Sequence, residues 1–371
     1  MGSEKNKLVA ILNCHDDDVY CFRKEVIEKI LADGHTVLIC CPYGEKLELM
    51  NDLDFIFQDT PIDRRGTNPI NDFKLLVNYL NIFRKYKPDV VLTYTAKPNI
   101  YGSMAARILG ISYINNVTGL GSVLKKKLFL KKFIFYLFKV AFKQSKCVFF
   151  QNHENLDLAI SEHLITGKYR VIPGSGVNTT RFDLKEYPAA EEKIIFNYIG
   201  RVLREKGVDD YIEVAKNIKQ QNKNIEFNII GFIEPTEIQY KDLLDQLESD
   251  DVIRYRGSQK DVRPFIERSH CTIHPSVYGE GMSNALLESA AVGRPVITTN
   301  ISGCKEIVDN GVNGFVYEAG NRDELQLKVE CFLELSNSER EKMGLAGRKK
   351  VESEFNRNIV VDAYCQEISL L

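Results

Sequence analysis

The sequence lacks several features that would fix a function, and each absence excludes a class of protein. Its nine cysteines are scattered and odd in number and include no C-x-x-C pair, which argues against a zinc site or a disulfide framework. The net charge of −2 gives no overall attraction to nucleic acid, so no nucleic-acid partner is expected. No run of about 18 uncharged apolar residues could cross a membrane, and no signal peptide opens the chain. We therefore expect a reduced, cytoplasmic protein.

The length and the order of apolar runs predict two α/β domains. A chain of 371 residues is too long for one ordinary α/β domain and about right for two. Short apolar runs alternate with helical stretches in both halves, and V-I-P-G-S-G at 171–176 has the composition of a linker. We expect one domain over residues 1–173, a second over 174–355, and a last helix over 356–371 that returns to the first. No G-x-G-x-x-G follows the first strand, so the first half is not interpreted as a dinucleotide site.

Two glutamates, Glu280 and Glu288, stand eight positions apart within H-P-S-V-Y-G-E-G-M-S-N-A-L-L-E-S-A-A-V-G-R-P, residues 274–295. The glycines around the first glutamate predict a loop, and Ser283 or Asn284 is a good cap for the helix that follows. N–H groups at the start of that helix lack intrahelical partners and favour an anion. Two spaced glutamates alone usually mean an ordinary loop and helix. Here they follow a predicted buried strand, where such sheets bind ligands.

A nucleotide-sugar matches this pattern, because it has a diphosphate in the middle and hydroxyl groups at both ends. Glu280 would bind sugar hydroxyls, the helix start would bind the diphosphate, and Glu288 would bind the ribose. Arg201 and Lys206 flank a glycine-bounded turn after a predicted strand over 194–199, and two fixed cations there could neutralise the diphosphate. On its own, an arginine and a lysine at this spacing more often belong to a turn in contact with solvent than to a binding site. Together with the glutamate loop in the same domain, it predicts a donor site.

Three loops at predicted strand ends of the first half carry candidate acceptor-binding residues, which are His15, Lys97 and Thr118. The loop of His15 could equally be a helix-capping loop. The acidic run 16–18 could be argued as a metal site, but it lies outside the donor domain. No D-x-D pair stands at a strand end of the second half, and two cations can do the work of a metal ion. We therefore expect no metal and no cofactor, the nucleotide-sugar being a substrate.

A predicted helix over 125–143 mixes lysines with many aromatic residues. Lys125, Lys132 and Lys139 are seven positions apart and form one stripe. A basic stripe beside aromatic residues suits the surface of an anionic bilayer, whereas the alternative is a core helix with one wet side. The residues expected to contact the membrane are Lys125, Lys131, Lys132, Phe135 and Lys139.

With these residues in view, the chain resembles the family 4 retaining glycosyltransferases of the GT-B fold. The resemblance covers nearly all of the chain and is strongest over 196–317. It rests on Gly200-Arg201 with Glu205-Lys206-Gly207, on P-S-V-Y-G-E-G-M-S-N-A-L-L-E-S-A-A-V-G-R-P-V-I, and on G-C-K-E-I-V-x-x-G-V-N-G-F. In the first half, Phe22-Arg23 and Gly119-Leu120-Gly121 resemble a bacterial branch that extends polyprenyl-diphosphate-linked sugars.

The resemblance implies an α/β architecture of two Rossmann-like domains whose parallel sheets face each other across a cleft. It also implies a UDP-sugar donor and retention of the anomeric configuration. The residues that it assigns to the donor are Gly200, Arg201, Lys206, Glu280, Gly281, Met282, Ser283, Asn284 and Glu288. Of these, Arg201, Lys206 and Glu280 are expected to be catalytic.

We therefore expect a transferase that moves a hexose or N-acetylhexosamine from a UDP-sugar to a polyprenyl-diphosphate-linked saccharide. The setting would be bacterial surface glycan or glycoprotein glycan assembly, at the inner face of the cell membrane. Two alternatives remain open: a GT-B enzyme with a soluble acceptor, and a non-catalytic module that binds nucleotide-sugars. The lysine-rich aromatic helix argues against the first, and the intact donor-site charges argue against the second.

Overall fold

The computed structural model of the chain describes residues 6–64, 66, 68–120, 123, 127–189 and 193–371. The chain divides into two compact units, which are Met1–Ser175 together with Arg357–Leu371, and Gly176–Asn356. Each unit is built around one parallel β-sheet. Two Rossmann-like units of this kind confirm the predicted α/β class.

The first unit has seven parallel strands in the order β3-β2-β1-β4-β5-β6-β7. These strands are β1 (Leu8–Leu12), β2 (Thr36–Cys41), β3 (Phe55–Asp59), β4 (Val90–Tyr94), β5 (Ser112–Val117), β6 (Cys147–Phe150) and β7 (Tyr169–Val171). The α-helices in its described residues are α1 (Asp16–Ala32), α2 (Pro69–Tyr86), α3 (Ser103–Ile108), α4 (Leu128–Phe142), α5 (His153–Ser161) and the last helix of the chain, α12 (Arg357–Ser369). A 3-10 helix lies at Glu45–Met50, and a π-helical turn at Pro98–Gly102.

The second unit has six parallel strands in the order β10-β9-β8-β11-β12-β13. These strands are β8 (Ile194–Ile199), β9 (Ile225–Ile230), β10 (Arg254–Gly257), β11 (Cys271–His274), β12 (Val296–Thr299) and β13 (Gly314–Tyr317). The α-helices are α6 (Val208–Gln221), α7 (Tyr240–Ser249), α8 (Arg263–Arg268), α9 (Asn284–Ala291), α10 (Arg322–Glu334) and α11 (Asn337–Glu354). Short 3-10 turns lie at Arg204–Lys206, Pro235–Glu237 and Lys305–Ile307.

Both faces of each sheet are covered by helices. Because successive strand residues point to opposite sides of the sheet, each strand contributes to two separate cores. In β1, Val9 and Ile11 pack into a core with residues of α1 and α12. Their neighbours Ala10 and Leu12 pack into a separate core with residues of α2 and α3. The second unit has the same two-sided arrangement, with one core over α6, α7 and α10 and another over α9 and α11.

The strand order reverses at one place in each sheet, between β1 and β4 in the first unit and between β8 and β11 in the second. At such a switch point the connections leave in opposite directions, so a crevice opens beyond the carboxyl ends of the two strands. The loops after these four strands are therefore where ligand-binding residues are expected.

Candidate functional site

The loop after β8 carries Arg201 and Lys206 and is held against the loop after β11. It ends in the 3-10 turn Arg204–Lys206, which is closed by Gly207 at φ +71°. A side chain at Gly207 would place its Cβ 1.9 Å from the carbonyl oxygen of Pro275, so only glycine allows this approach. The two loops at the switch point are thus in direct backbone contact.

Arg201 is ion-paired in the second unit with a residue that the sequence did not identify. Its Nη1 lies 2.8 Å from Oε2 of Glu234, in the loop after β9. Glu234 is buried, at 6% exposure, whereas about a third of the Arg201 side chain is open to solvent. No motif surrounds Glu234, and its partner is 33 positions away, so no sequence signal could have revealed the pair.

Lys206 and Glu280 form the centre of the site. The Nζ of Lys206 lies 2.6 Å from Oε1 of Glu280, and Nε2 of His274 lies 2.9 Å from the same oxygen. Burial opposes the charged form of Glu280, but the Lys206 ammonium and His274 outweigh it and hold the pKa of this carboxyl well below its usual range. The structure thus brings together the predicted Lys206 and Glu280 and adds His274, the last residue of β11.

The helix that follows, α9, begins at Asn284 with Ser283 as its N-cap residue. Two N–H groups that precede the helix are bonded outside it, since the Ser283 N–H donates to the carbonyl of Gly303 and the Glu280 N–H to that of Ser302. In the part of the chain that the structure describes, no carbonyl accepts the N–H groups of the first three helical residues, 284–286. The Ser283 hydroxyl is buried without a hydrogen-bond partner in that same part. These unsatisfied donors and the helix dipole favour an anion at this end.

The remaining predicted donor residues lie after β8, in the glutamate loop and on α9. Gly200 directly follows β8 and has φ +156°. Gly281 and Met282 are buried between the glutamate loop and α9, and Asn284 is partly exposed. Glu288 lies one turn into α9 and is partly exposed.

Three atoms with metal-binding capacity come close together at this site. A nitrogen of His274, a carboxylate oxygen of Glu280 and the Sγ of Cys304 lie within 4.8 Å of one another. The Lys206 ammonium, however, contacts the Glu280 oxygen, and complete burial raises the pKa of the Cys304 thiol well above its usual value. A metal ion bound there would have to displace the Lys206 ammonium from Glu280 and the proton from the Cys304 thiol.

In the first unit, the candidate acceptor residues lie at the carboxyl edge of the sheet. His15 is exposed and precedes α1, where its side chain makes no capping hydrogen bond. Thr118 is partly exposed after β5. Lys97 is ion-paired, with its Nζ 2.7 Å from Oδ1 of Asp72, and the hydroxyl of Tyr101 donates to the other oxygen of that carboxylate.

A strained residue joins the two loops at the switch point of the first unit. Thr95 directly follows β4 and has φ +66°, a conformation that is rare for a β-branched residue. Its Oγ1 lies 2.9 Å from Sγ of Cys14, which follows β1. Backbone strain of this kind concentrates at functional sites. The sequence around Thr95 contains no motif that predicts this strained conformation.

The lysine-rich helix α4 has one exposed and one buried face. Phe129 is 86% exposed, and Leu128, Phe133 and Tyr136 are also exposed. Phe135 is only 5% exposed and packs in the core, so its predicted membrane contact was wrong.

The lysines of this region that were predicted to contact a membrane differ from one another in their surroundings. Lys132 and Lys139 are exposed, Lys131 pairs with Glu162 at 3.3 Å, and Lys125 lies outside the described residues. Within the described residues, no helix is both long enough and apolar enough to cross a membrane.

Two family descriptions match the chain, one in each unit. Residues 9–152 match "Glycosyl transferase 4-like", and residues 179–350 match "Glycosyl transferases group 1". The chain belongs to the glycosyltransferase family.

This glycosyltransferase is similar to two named bacterial enzymes. It is 25% identical over 364 residues to the N,N'-diacetylbacillosaminyl-diphospho-undecaprenol alpha-1,3-N-acetylgalactosaminyltransferase of Campylobacter jejuni. That match covers 93% of this chain and 94% of the relative. It is 28% identical over 301 residues to the UDP-Gal:alpha-D-GlcNAc-diphosphoundecaprenol alpha-1,3-galactosyltransferase of Escherichia coli, covering 77% and 76%.

Solved structures share the fold over nearly the whole chain. HepE of Anabaena, in complex with UDP and glucose, superposes with a TM-score of 0.81 at 15% identity, covering 99% of this chain and 100% of that one. Sucrose-phosphate synthase from Thermosynechococcus elongatus superposes with a TM-score of 0.78 at 16% identity, covering 97% and 98%. The predicted GT-B fold of this glycosyltransferase is thereby confirmed.

Proposed function

We propose that this glycosyltransferase moves a hexose or N-acetylhexosamine from a UDP-sugar to a sugar carried on a polyprenyl diphosphate. The observation that carries the proposal is the group of charges beside the open end of α9. Lys206 pairs with the part-buried carboxylate of Glu280, and Arg201, in the same loop after β8, pairs with Glu234. A nucleoside diphosphate-sugar has complementary groups, since its diphosphate is anionic and its sugar offers hydroxyls.

In this proposal the cations and the helix end bind the diphosphate. The N–H groups at 284–286, together with the Ser283 hydroxyl, donate to phosphate oxygens. Arg201 and Lys206 neutralise charge that grows on the leaving phosphate. Glu280 accepts hydrogen bonds from sugar hydroxyls.

Glu288 is assigned to the ribose, because it lies on α9 one turn beyond the proposed phosphate site. The two glutamates then contact the two ends of the donor. A carboxylate accepts hydrogen bonds from neighbouring hydroxyl groups of a sugar.

The chemistry is a same-face displacement that retains the anomeric configuration. The bond between the anomeric carbon and the phosphate oxygen breaks, the acceptor hydroxyl oxygen bonds to that carbon, and its proton goes to the departing phosphate. Positive charge held beside the leaving group stabilises the transition state more than the ground state. The protein contributes no metal ion and no covalent intermediate.

The acceptor assignment is supported by the names of two relatives, both of which specify undecaprenyl-diphosphate-linked sugars. His15, Lys97 and Thr118 are assigned to the acceptor because they follow β1, β4 and β5 at the carboxyl edge of the first sheet. The exposed face of α4, with Leu128, Phe129, Lys132, Phe133, Tyr136 and Lys139, is assigned to an anionic membrane surface. The enzyme would then work as a peripheral protein on the inner face of the cell membrane, in surface glycan or glycoprotein glycan assembly.

The test is a donor and acceptor screen with radiolabelled UDP-hexoses and UDP-N-acetylhexosamines. A short polyprenyl-diphosphate-linked sugar is the lipid acceptor, and a soluble sugar phosphate is the comparison, since one structural neighbour is a sucrose-phosphate synthase. Radiolabel that enters product only with the lipid, and that persists in EDTA, is the expected result. Turnover with the soluble acceptor alone would assign the enzyme to the first alternative. UDP-sugar binding without any transfer would assign it to the second.

A further inference from the structure

His274 is the last residue of β11 and is almost completely buried, at 3% exposure. Its Nε2 lies 2.9 Å from Oε1 of Glu280, the same oxygen that accepts from Lys206. The backbone of His274 is fixed by pairing with β12, and its carbonyl accepts a hydrogen bond from the Thr298 hydroxyl at 2.9 Å. The ring therefore presents one nitrogen to Glu280 from a rigid part of the sheet.

The hydrogen bonds of the ring select one tautomer. An ionised carboxylate only accepts hydrogen bonds, so the hydrogen between the two residues belongs to Nε2. The other nitrogen, Nδ1, is buried without a partner in the described part of the chain. The ring therefore donates its Nε2 hydrogen to Glu280 and makes no other hydrogen bond in that part of the chain.

The proposed function creates a conflict for Lys206. Its ammonium is bound to Glu280, yet the same ammonium is assigned to the donor diphosphate. A diphosphate carries more negative charge than one carboxylate and will draw the ammonium toward itself. Glu280 is only 15% exposed, and a buried carboxylate that loses its cation tends to take up a proton. A protonated Glu280 would bind the sugar hydroxyls differently.

We propose, on the basis of the proposed function, that His274 is a positioning residue for Glu280. It keeps the carboxylate ionised and oriented toward the sugar while Lys206 turns to the diphosphate. Among the described residues, Cys304 and Tyr198 also interact with the Glu280 charge. Burial raises the pKa of both groups well above the usual values, so they remain uncharged. His274 is a hydrogen-bond donor to Glu280 that has no assigned role in binding phosphate.

The test compares His274→Leu with His274→Gln, whose amide restores an N–H donor. We expect His274→Leu to lower kcat/KM for the UDP-sugar about 10- to 100-fold, as for the loss of a hydrogen bond to a charged group. The Kd for UDP alone should change by no more than about two-fold, because UDP lacks the transferred sugar that Glu280 is proposed to bind. The acid limb of the pH profile should move to higher pH, and His274→Gln should recover much of the loss. His153→Leu, at an exposed histidine, is the control.

Two outcomes overturn the inference while leaving the proposed function standing. One is a His274→Leu enzyme with an unchanged kcat/KM and pH profile. The other is an equal loss of UDP affinity and of UDP-sugar turnover, which indicates general damage to the site. A wild-type chain that transfers no sugar would contradict the proposed function instead.

An activity-independent measurement addresses the ring itself. The chain has six histidines, so histidine-selective nitrogen-15 labelling yields few signals, and His274→Gln identifies the one from His274. We expect a hydrogen on Nε2. A ring whose hydrogen lies on Nδ1 alone would contradict the proposed hydrogen bond.

Discussion

The guanidinium of Arg201 is fixed by the buried carboxylate of Glu234, with 2.8 Å between Nη1 and Oε2. The pair joins the loops that follow the adjacent strands β8 and β9. One side of the guanidinium is thus held by protein, and the part that remains exposed can bind a phosphate with two parallel hydrogen bonds. The pair has a structural and a proposed catalytic role, which mutation can separate.

Arg201→Gln should damage both roles at once. It removes the ion pair between Arg201 and the buried Glu234 carboxylate, which we expect to lower the free energy of unfolding by about 1–3 kcal/mol, since Arg201 is partly exposed. Adding Glu234→Gln removes the carboxylate charge and should restore the stability. Turnover should stay reduced by more than about 100-fold in the double variant, because the phosphate-binding cation is still missing. Thermal unfolding and initial rates measure the two effects. Full activity of the double variant would remove Arg201 from the mechanism.

Lys206→Ala should lower both UDP affinity and turnover. The variant removes a cation from the proposed diphosphate site and leaves Glu280 without its ion-pair partner. We expect turnover to fall by about 100-fold or more, in line with the loss of a group that stabilises transition-state charge. Lys216→Ala is the matched control, because that lysine lies in the same unit and pairs with Glu213 on the surface of α6. Equal turnover rates for Lys206→Ala and Lys216→Ala would contradict the role assigned to Lys206.

The strand Ile194–Ile199 could be predicted from the sequence, and its predicted bounds agree with the structure. It is a mostly buried parallel strand inside its sheet. Phe55–Asp59 carries a weaker sequence signal, because it lies at the edge of its sheet and its residues are mostly half-buried. Its five residues do not form a continuous apolar run.

The site could be predicted as a set of residues but not as a set of contacts. Glu280 and Lys206 lie next to glycines and at strand ends, which is a local signal. The partners Glu234 and His274 carry no such signal, because their roles depend on which strands are neighbours in the sheet. The same reason explains the error at Phe135, since aromatic residues occupy both faces of α4 and only the packing decides which face is buried.

Stability should fall in mild acid because of His270, a buried histidine in the second unit. Burial, together with the nearby charges of Arg340 and Arg294, lowers the pKa of His270 to about 4. Its Nδ1 accepts a hydrogen bond from the Ile195 N–H at 3.2 Å. Because the folded-state pKa lies below the ordinary value of 6.5, the unfolded chain binds the proton more tightly between pH 6.5 and 4. This contribution to stability is present above pH 6.5 and is lost as the pH falls toward 4.

The loss from His270 amounts to about 3 kcal/mol over that window, at 1.36 kcal/mol per pH unit. His270→Asn keeps an acceptor for the Ile195 N–H but does not titrate. Its denaturant-derived free energy of unfolding should therefore depend less steeply on pH between 6.5 and 4 than that of the wild type. His153→Asn, at an exposed site, should follow the wild-type curve. Parallel curves for His270→Asn and the wild type would contradict the assignment.

Binding to anionic vesicles should depend on the exposed face of α4. Lys132→Glu with Lys139→Glu should weaken the association at least about ten-fold, since each lysine near an anionic surface contributes about 1 kcal/mol. Phe129→Ser with Phe133→Ser should also weaken it, and this loss should not depend on salt, because the proposed contact inserts those apolar side chains into the membrane interface. Vesicle flotation at two salt concentrations separates the two effects. Lys85→Glu with Lys349→Glu changes the net charge equally at exposed sites elsewhere. Equal weakening by this control pair would mean that the attraction depends on overall charge and not on α4.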